Sequence, residues 1–321
     1  MPTVLVVGEV RTCLLHNEEP LSRAAVAQLL ELVPGQRVLS ADRPIGHSVS
    51  PQLTVGVDCR LAATSSKIRA RGIGTVTSYA LITAGLVLQS SAKADVRRAV
   101  ADQRLTWSHY LAQPGAIEVI IRPDTVDLAT NLATGYLTDT SPIDTLDLGA
   151  VSEHLIGDVQ MRPQLDHITS VRARPTRVRW AARLSDSDTP SARVHVVDDV
   201  LRTLELTVHE DQLGQAARFC EDFALHDWLL TTLGQIIEQA NRTKAAGGES
   251  IEILSPVIER LLHLWMPGAH VDPVMRRLWG ALEQRPGFSL QWNAQVARIR
   301  DQIALQTLQA LQQAKNNSLE W

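Results

Sequence analysis

The chain has 321 residues, 45% of them apolar and 21% charged, and carries a formal net charge of −4. That length supports a sizeable core and more than one structural unit. The charge balance excludes a disordered polar chain and a globally cationic protein that would hold nucleic acid or a lipid surface by charge alone.

The N-terminus, MPTVLVVGEV, has no basic leader region and starts directly on a strand-like run. Residues 3–15 are almost continuously β-branched or apolar, which predicts a strand buried on both faces. Leu21, Ala25, Leu29 and Leu32 then line one face of a short helix that Pro34 and Gly35 end. Short strands are predicted at 37–41, 54–61, 67–71 and 75–82, with a turn at 83–85 into a further strand at 86–89. The apolar run 79–88 is about half the length a membrane-spanning helix needs. Lys67, Arg69 and Arg71 form a short alternating basic row.

Residues 95–104 read as helical, and prolines at 114, 123, 142 and 163 cut the following stretch into short pieces. From 177 to 208 the pattern alternates. Val178, Trp180, Ala182 and Leu184 face one way and Arg177, Arg179 and Arg183 the other. With 193–197 and 203–208 this predicts a three-stranded antiparallel meander, its apolar face available to later helices.

From 212 onward the pattern is helical. Phe219, Phe223, His226, Leu230, Leu233 and Ile237 recur at steps of four and three. Residues 244–250 read as a linker, and Ser255-Pro256 and Asp272-Pro273 read as two further helix starts. A long helix closes the chain. The fold class expected is therefore α+β: a strand-rich region at 1–105, an irregular segment with the meander at 106–210, and a helical domain at 211–321.

No catalytic residue, cofactor or metal set is assigned from these motifs. Gly72-Ile73-Gly74 precedes a strand rather than a helix, and none of the four lysines follows a glycine, so neither nucleotide-binding loop is present. Cys13, Cys59 and Cys220 are scattered without a C-x-x-C pair, which predicts reduced thiols and a cytoplasmic protein. The best candidate contact surface is the arginine face: Arg177, Arg179, Arg183 and Arg193, with His195, can meet a phosphate or an acidic partner. A weaker candidate combines Ser108 and His109 with Asp222 and His226. Adjacent Ser108 and His109 cannot form a nucleophile–base pair by themselves. Asp222 and His226 lie one helical turn apart, but His226 sits on its helix's apolar stripe, which predicts a buried structural imidazole.

Several stretches resemble an actinobacterial protein family of unknown function: VVGEVRTCLLHN from Val6, GVDCRL from Gly56, TWSHYLAQPG from Thr106, ALHDWLLTTL from Ala224, HLWMPGAHVDP from His263 and IRDQIALQTL from Ile299. The resemblance spans nearly the full length. It implies a gene neighbourhood shared with P-loop ATPase-like and methyltransferase-like proteins, and one component of a multi-protein system. It implies no site. The expected role is a non-catalytic cytoplasmic adaptor or assembly component with protein partners and possible self-association, without membrane or nucleic acid. The alternative is an enzyme or ligand-binding protein that takes a phosphate-bearing or acidic ligand through an arginine-lined site.

Overall fold

The computed structural model describes residues 3–64, 69–122, 127–139, 144–169, 171–185, 189–245, 251–284 and 287–317. Its first strand, β1 (Thr3–Leu14), lies in the interior of a ten-stranded mixed sheet. α1 (Arg23–Leu29) follows it, capped by the Ser22 hydroxyl. Next come β2 (Leu39–Ala41), β3 (His47–Val49), β4 (Leu53–Leu61), β5 (Arg69–Thr83) and β6 (Val87–Arg98). α2 (Trp107–Leu111), β7 (Ala116–Arg122), α3 (Leu128–Thr138) and α4 (Leu148–Gln160) precede β8 (Thr176–Leu184), β9 (Ser191–Val196) and β10 (Leu201–Val208). The order across the sheet is β2-β3-β5-β7-β6-β1-β8-β10-β9, with β4 also on β5. β1 is paired antiparallel along both edges, with β6 and β8, and its residues from Leu5 to Val10 are buried on both faces.

The α+β class holds, with a helical C-terminal region. Three local expectations are corrected. The two strands drawn at 67–71 and 75–82 are one long β5; Lys67 lies outside the described residues. Gly72 and Gly74 carry it past β7, where a Cβ on Gly74 would stand 2.1 Å from the Ala116 carbonyl oxygen. The helix drawn at 95–104 is absent: residues 95–98 end β6 and pair in parallel with β7, so sheet pairing overrides local propensity. The antiparallel meander is also corrected. β10 pairs in parallel with β8, and β9 lies outside it as the sheet edge. β8 ends and β9 begins at the same end of β10, where the Ser185 N–H donates to the Val208 carbonyl at 3.0 Å.

Alternation sorts the sheet into two faces. Val10, Val178, Trp180, Leu204 and Leu206 point to one side, against the C-terminal helices. Gly8 stands opposite Trp180, and a Cβ there would lie 2.4 Å from the indole. Leu5, Val7, Val96, Ile117 and Ala181 point to the other side, under α3 and α4. The segments 1–105 and 106–210 contribute strands to one sheet, and the helices of 211–321 pack on one of its faces in a shared core.

α5 (Leu213–Ala245) is roughly 50 Å long by helix geometry. Glu221, Asp227 and Trp228 meet the sheet and residues 171–175, while Phe219 and Phe223 pack on the far side against Trp279 and Phe288. α6 (Ile251–Arg260), α7 (Arg276–Gln284) and α8 (Phe288–Asn317) pack around it. The linker drawn at 244–250 lies mostly outside the described residues. Pro256 does not start a helix but sits inside α6. Asp272 caps the turn at 273–275 that leads into α7, so the helix begins at Arg276 and not at Pro273: its carboxylate accepts from the Val274 N–H and its carbonyl from the Arg276 N–H, both at 2.8 Å. No strand occurs among the described residues after Val208.

Candidate functional site

The expected arginine face is divided by what covers it. α3 and α4 lie over the β8 row, so Arg177 and Arg179 are not on an open surface. They meet Glu9, a fully buried carboxylate on β1, at 3.5 and 3.3 Å, with Arg11 4.0 Å away. Arg179 also donates to the Asp139 and Tyr136 carbonyls at 2.6 and 3.3 Å, tying the end of α3 to the sheet. Arg183 donates twice to Glu205 Oε1, at 3.0 and 2.7 Å, and to the Thr130 hydroxyl on α3 at 2.7 Å. These three arginines hold the fold. The expectation that they form a contact surface with Arg193 and His195 is corrected; only the last two, on β9, are exposed, and neither has a side-chain partner among the described residues.

The weaker candidate also comes apart. The Ser108 hydroxyl pairs with Thr106 at 2.8 Å, whereas His109 Nε2–H donates to Glu118 on β7 at 2.6 Å. Asp222 and His226 are buried elsewhere, on α5. His226 Nδ1–H donates to the Asp222 carbonyl at 2.7 Å, and its Nε2 accepts from the Met266 N–H at 3.1 Å. Burial pushes the imidazole down to about 4, which keeps it neutral. The Asp222 carboxylate accepts from the Gly268 N–H at 2.6 Å and from Trp279 Nε1–H at 2.7 Å, and burial raises it to about 7. Together they lock the 266–268 turn onto α5. Among the described residues no group of three or more His, Cys, Asp or Glu side chains is placed to hold a metal ion.

A large concavity lies elsewhere, at the end of the sheet where β1 finishes and β8 begins. It is a cleft of about 1160 Å3 between α4, residues 171–175, the β9–β10 hairpin, α5 and the start of α8. That exceeds the roughly 300–1,000 Å3 typical of small-ligand sites. At its base Arg202 Nε donates to Asp227 at 3.2 Å and Nη2 to the Thr231 hydroxyl at 3.3 Å, while Nη1 donates to the Asp198 carbonyl. Burial raises Asp227 above the ordinary carboxylate range, and Arg202 opposes that rise. On the α4 wall Arg11 pairs with Glu153 at 3.0 Å.

Residues 171–175 are pinned to α5: Trp228 Nε1–H donates to the Arg174 carbonyl at 3.1 Å, and the Arg174 N–H to Gln235 at 3.4 Å. This leaves the guanidinium groups of Arg172, Arg174 and Arg242 on the cleft without a partner among the described residues. Two exposed carboxylates, Asp199 and Glu238, share the lining. Planar guanidinium forks bind carboxylates and phosphates in a bidentate manner. Cys13, also on the lining, is pushed up to about 12 by burial and is not a thiolate at neutral pH. Among the described lining residues no hydroxyl or thiol is hydrogen-bonded to an imidazole. The alternation of Arg172 and Arg174 around Ala173 was a visible signal, but nothing local to it marks the cleft.

Comparison with known protein families, curated proteins and solved structures finds no match to this chain. No helix among the described residues is long and apolar enough to cross a membrane.

Proposed function

We propose that the protein is a binding component of a multi-protein assembly that holds an acidic segment of a protein partner in this cleft. One observation carries the reading: three arginines whose side chains have no partner among the described residues line a concavity larger than a small ligand needs. Arginines that hold the fold are paired, as Arg179 and Arg183 are; unpaired ones on a concave wall are available for recognition. The surplus is modest, three cations against Asp199 and Glu238, which favours a segment carrying a few acidic side chains over a polyanion such as nucleic acid. The resemblance to the actinobacterial family supports a partner encoded in the same gene neighbourhood, and the same assembly reading carries the cytoplasmic location.

The test is fluorescence anisotropy of a labelled, capped peptide of alternating valine and glutamate. The wild-type protein binds it, with affinity falling as salt rises. Arg174→Glu with Arg242→Glu weakens binding by about tenfold or more and leaves the unfolding midpoint nearly unchanged. Equal binding by this variant, or binding of inorganic phosphate in place of the peptide, overturns the reading.

A further inference from the structure

The cleft's floor ends at a free sheet edge. β9 pairs only with β10, and the Val197 N–H donates to the Leu201 carbonyl at 3.1 Å. Antiparallel ladders alternate hydrogen-bonded and non-hydrogen-bonded pairs. Counting back from the Val197–Leu201 pair, His195, Arg193 and Ser191 direct their backbone groups inward to β10. Ala192, Val194 and Val196 direct theirs outward, where they meet no backbone partner among the described residues. The side chains of Val194 and Val196 line the cleft. Val196 is 70% exposed and the following Val197 54%, an apolar, β-branched rim where β9 has β10 as its one strand neighbour among the described residues and α7 packs nearby.

We propose that β9 is the docking edge for the partner's acidic segment, which joins the sheet as an added strand. This rests on the cleft reading and names how the segment is held: main-chain pairing to Ala192, Val194 and Val196 gives the register, and alternate side chains give the selectivity. The chemistry of β9 chooses the occupant. Its sequence, SARVHV, contains no carboxylate, and Arg193 and His195 project from the same face. A second copy paired two-fold about Val194 sets Arg193 opposite the other copy's His195 and offers no carboxylate to either guanidinium. An extended segment with a carboxylate at every second residue meets both. Its other face lies on Val194 and Val196; beyond the paired stretch the segment leaves strand geometry and enters the cleft, where its further carboxylates meet Arg174 and Arg242.

The experiment is residue-resolved amide hydrogen exchange on the full chain, with and without the alternating valine–glutamate peptide. The peptide slows exchange at Val194 and Val196 by about tenfold or more, and leaves Arg193 and His195, already in the ladder, unchanged. Val194→Pro removes only an outward N–H, so the sheet survives and peptide affinity falls by about fivefold to tenfold. Arg193→Glu, a change confined to an exposed side chain, does the same and serves where the proline disturbs the fold.

If Arg174→Glu with Arg242→Glu loses the peptide while the two β9 variants keep it, strand addition is overturned and the cleft reading stands. If no variant loses it, both fall. A lysine-for-glutamate peptide that protects the same amides equally overturns the acidic selectivity. Protection that rises with protein concentration alone shows that a second copy takes the edge, and overturns the proposal.

Discussion

His226 and Asp222 stand one turn apart on α5 and do not share a proton. The imidazole donates to the Asp222 main-chain carbonyl, and the nearest carboxylate oxygen is 3.9 Å away, with the other turned toward Gly268 and Trp279. What resembled an oriented general base is a pair of independent clasps on the turn that follows α6.

That separation sets a pH signature. The folded imidazole is depressed to about 4, so its stabilising neutral form is fully present above the ordinary value of about 6.5 and is lost as pH falls toward 4. His226→Gln is expected to cost about 1–3 kcal/mol at pH 7. The difference between wild type and variant should shrink on acidification, by an amount on the order of 3 kcal/mol between pH 6.5 and pH 4. Asp222 works in the opposite direction, because its raised carboxyl favours the folded state at low pH and loses that contribution as pH rises toward 7. Urea unfolding of both proteins across this range measures the difference. A pH-independent difference would mean that the imidazole is charged in the fold.

Arg179 and Arg193 lie on the same sheet face but should behave differently. Removing Arg179 strips Glu9 of its nearest cation in a buried setting, with an expected loss of about 3–5 kcal/mol for Arg179→Ala. Arg193→Ala touches an exposed, unpaired side chain and should stay within about 0.5 kcal/mol. Chemical denaturation of the two variants decides this. Equal costs would show that Arg11 and Arg177 compensate for the missing charge.

Arg202 and Asp227 form the other buried pair. Arg202→Met alone leaves an uncompensated carboxylate and should cost about 3–5 kcal/mol. Adding Asp227→Leu should recover much of that loss, with a coupling energy of about 1–3 kcal/mol in a double-mutant cycle. Additive costs would mean that Asp198 and Thr231, not Asp227, hold the guanidinium.

Gly8 is required by its neighbour. Gly8→Ala places a methyl 2.4 Å from the Trp180 indole, so the ring must shift, and the melting midpoint should fall by an amount equivalent to about 1–3 kcal/mol. Trp180→Phe in the same background should recover part of the loss by shortening the ring. No recovery would place the strain in the β1 backbone instead.

The parts of the fold that could be read in advance are those whose partners leave a period in the sequence. The Phe219–Phe223–Leu230–Leu233 stripe marks a buried helix face and the Val178–Trp180–Ala182 alternation a buried sheet face, both visible in the sequence. But the stripe packs on α7 and α8, while the opposite side of α5, through Asp227, Trp228 and Thr231, meets the sheet side. The order of β8, β10 and β9 was not visible, because a parallel neighbour and an antiparallel one ask for the same alternation. Glu9 shows the same limit. Its place in an apolar run carries no sign that Arg177 and Arg179, some 170 residues away, will neutralise it. The arginine row was correctly sided on the strand, yet whether a helix would cover it depended on α3 and α4, which arise in the proline-broken stretch. The cleft gathers residues from six separated segments, none of which is unusual alone.

The interior position of β1 has a bearing on how the chain comes off the ribosome. One flank of β1 is completed when β6 emerges, about 85–95 residues later, but the other must wait for β8 at Thr176–Leu184. At a synthesis rate of roughly 5–20 residues per second, that leaves an apolar, unpaired edge open for several seconds or longer. During that interval the nascent chain presents the kind of strand edge that recruits holding chaperones or mispairs with a neighbour. Fragments ending before residue 176 should therefore be prone to aggregation, while the intact chain, once β8 has docked, is not.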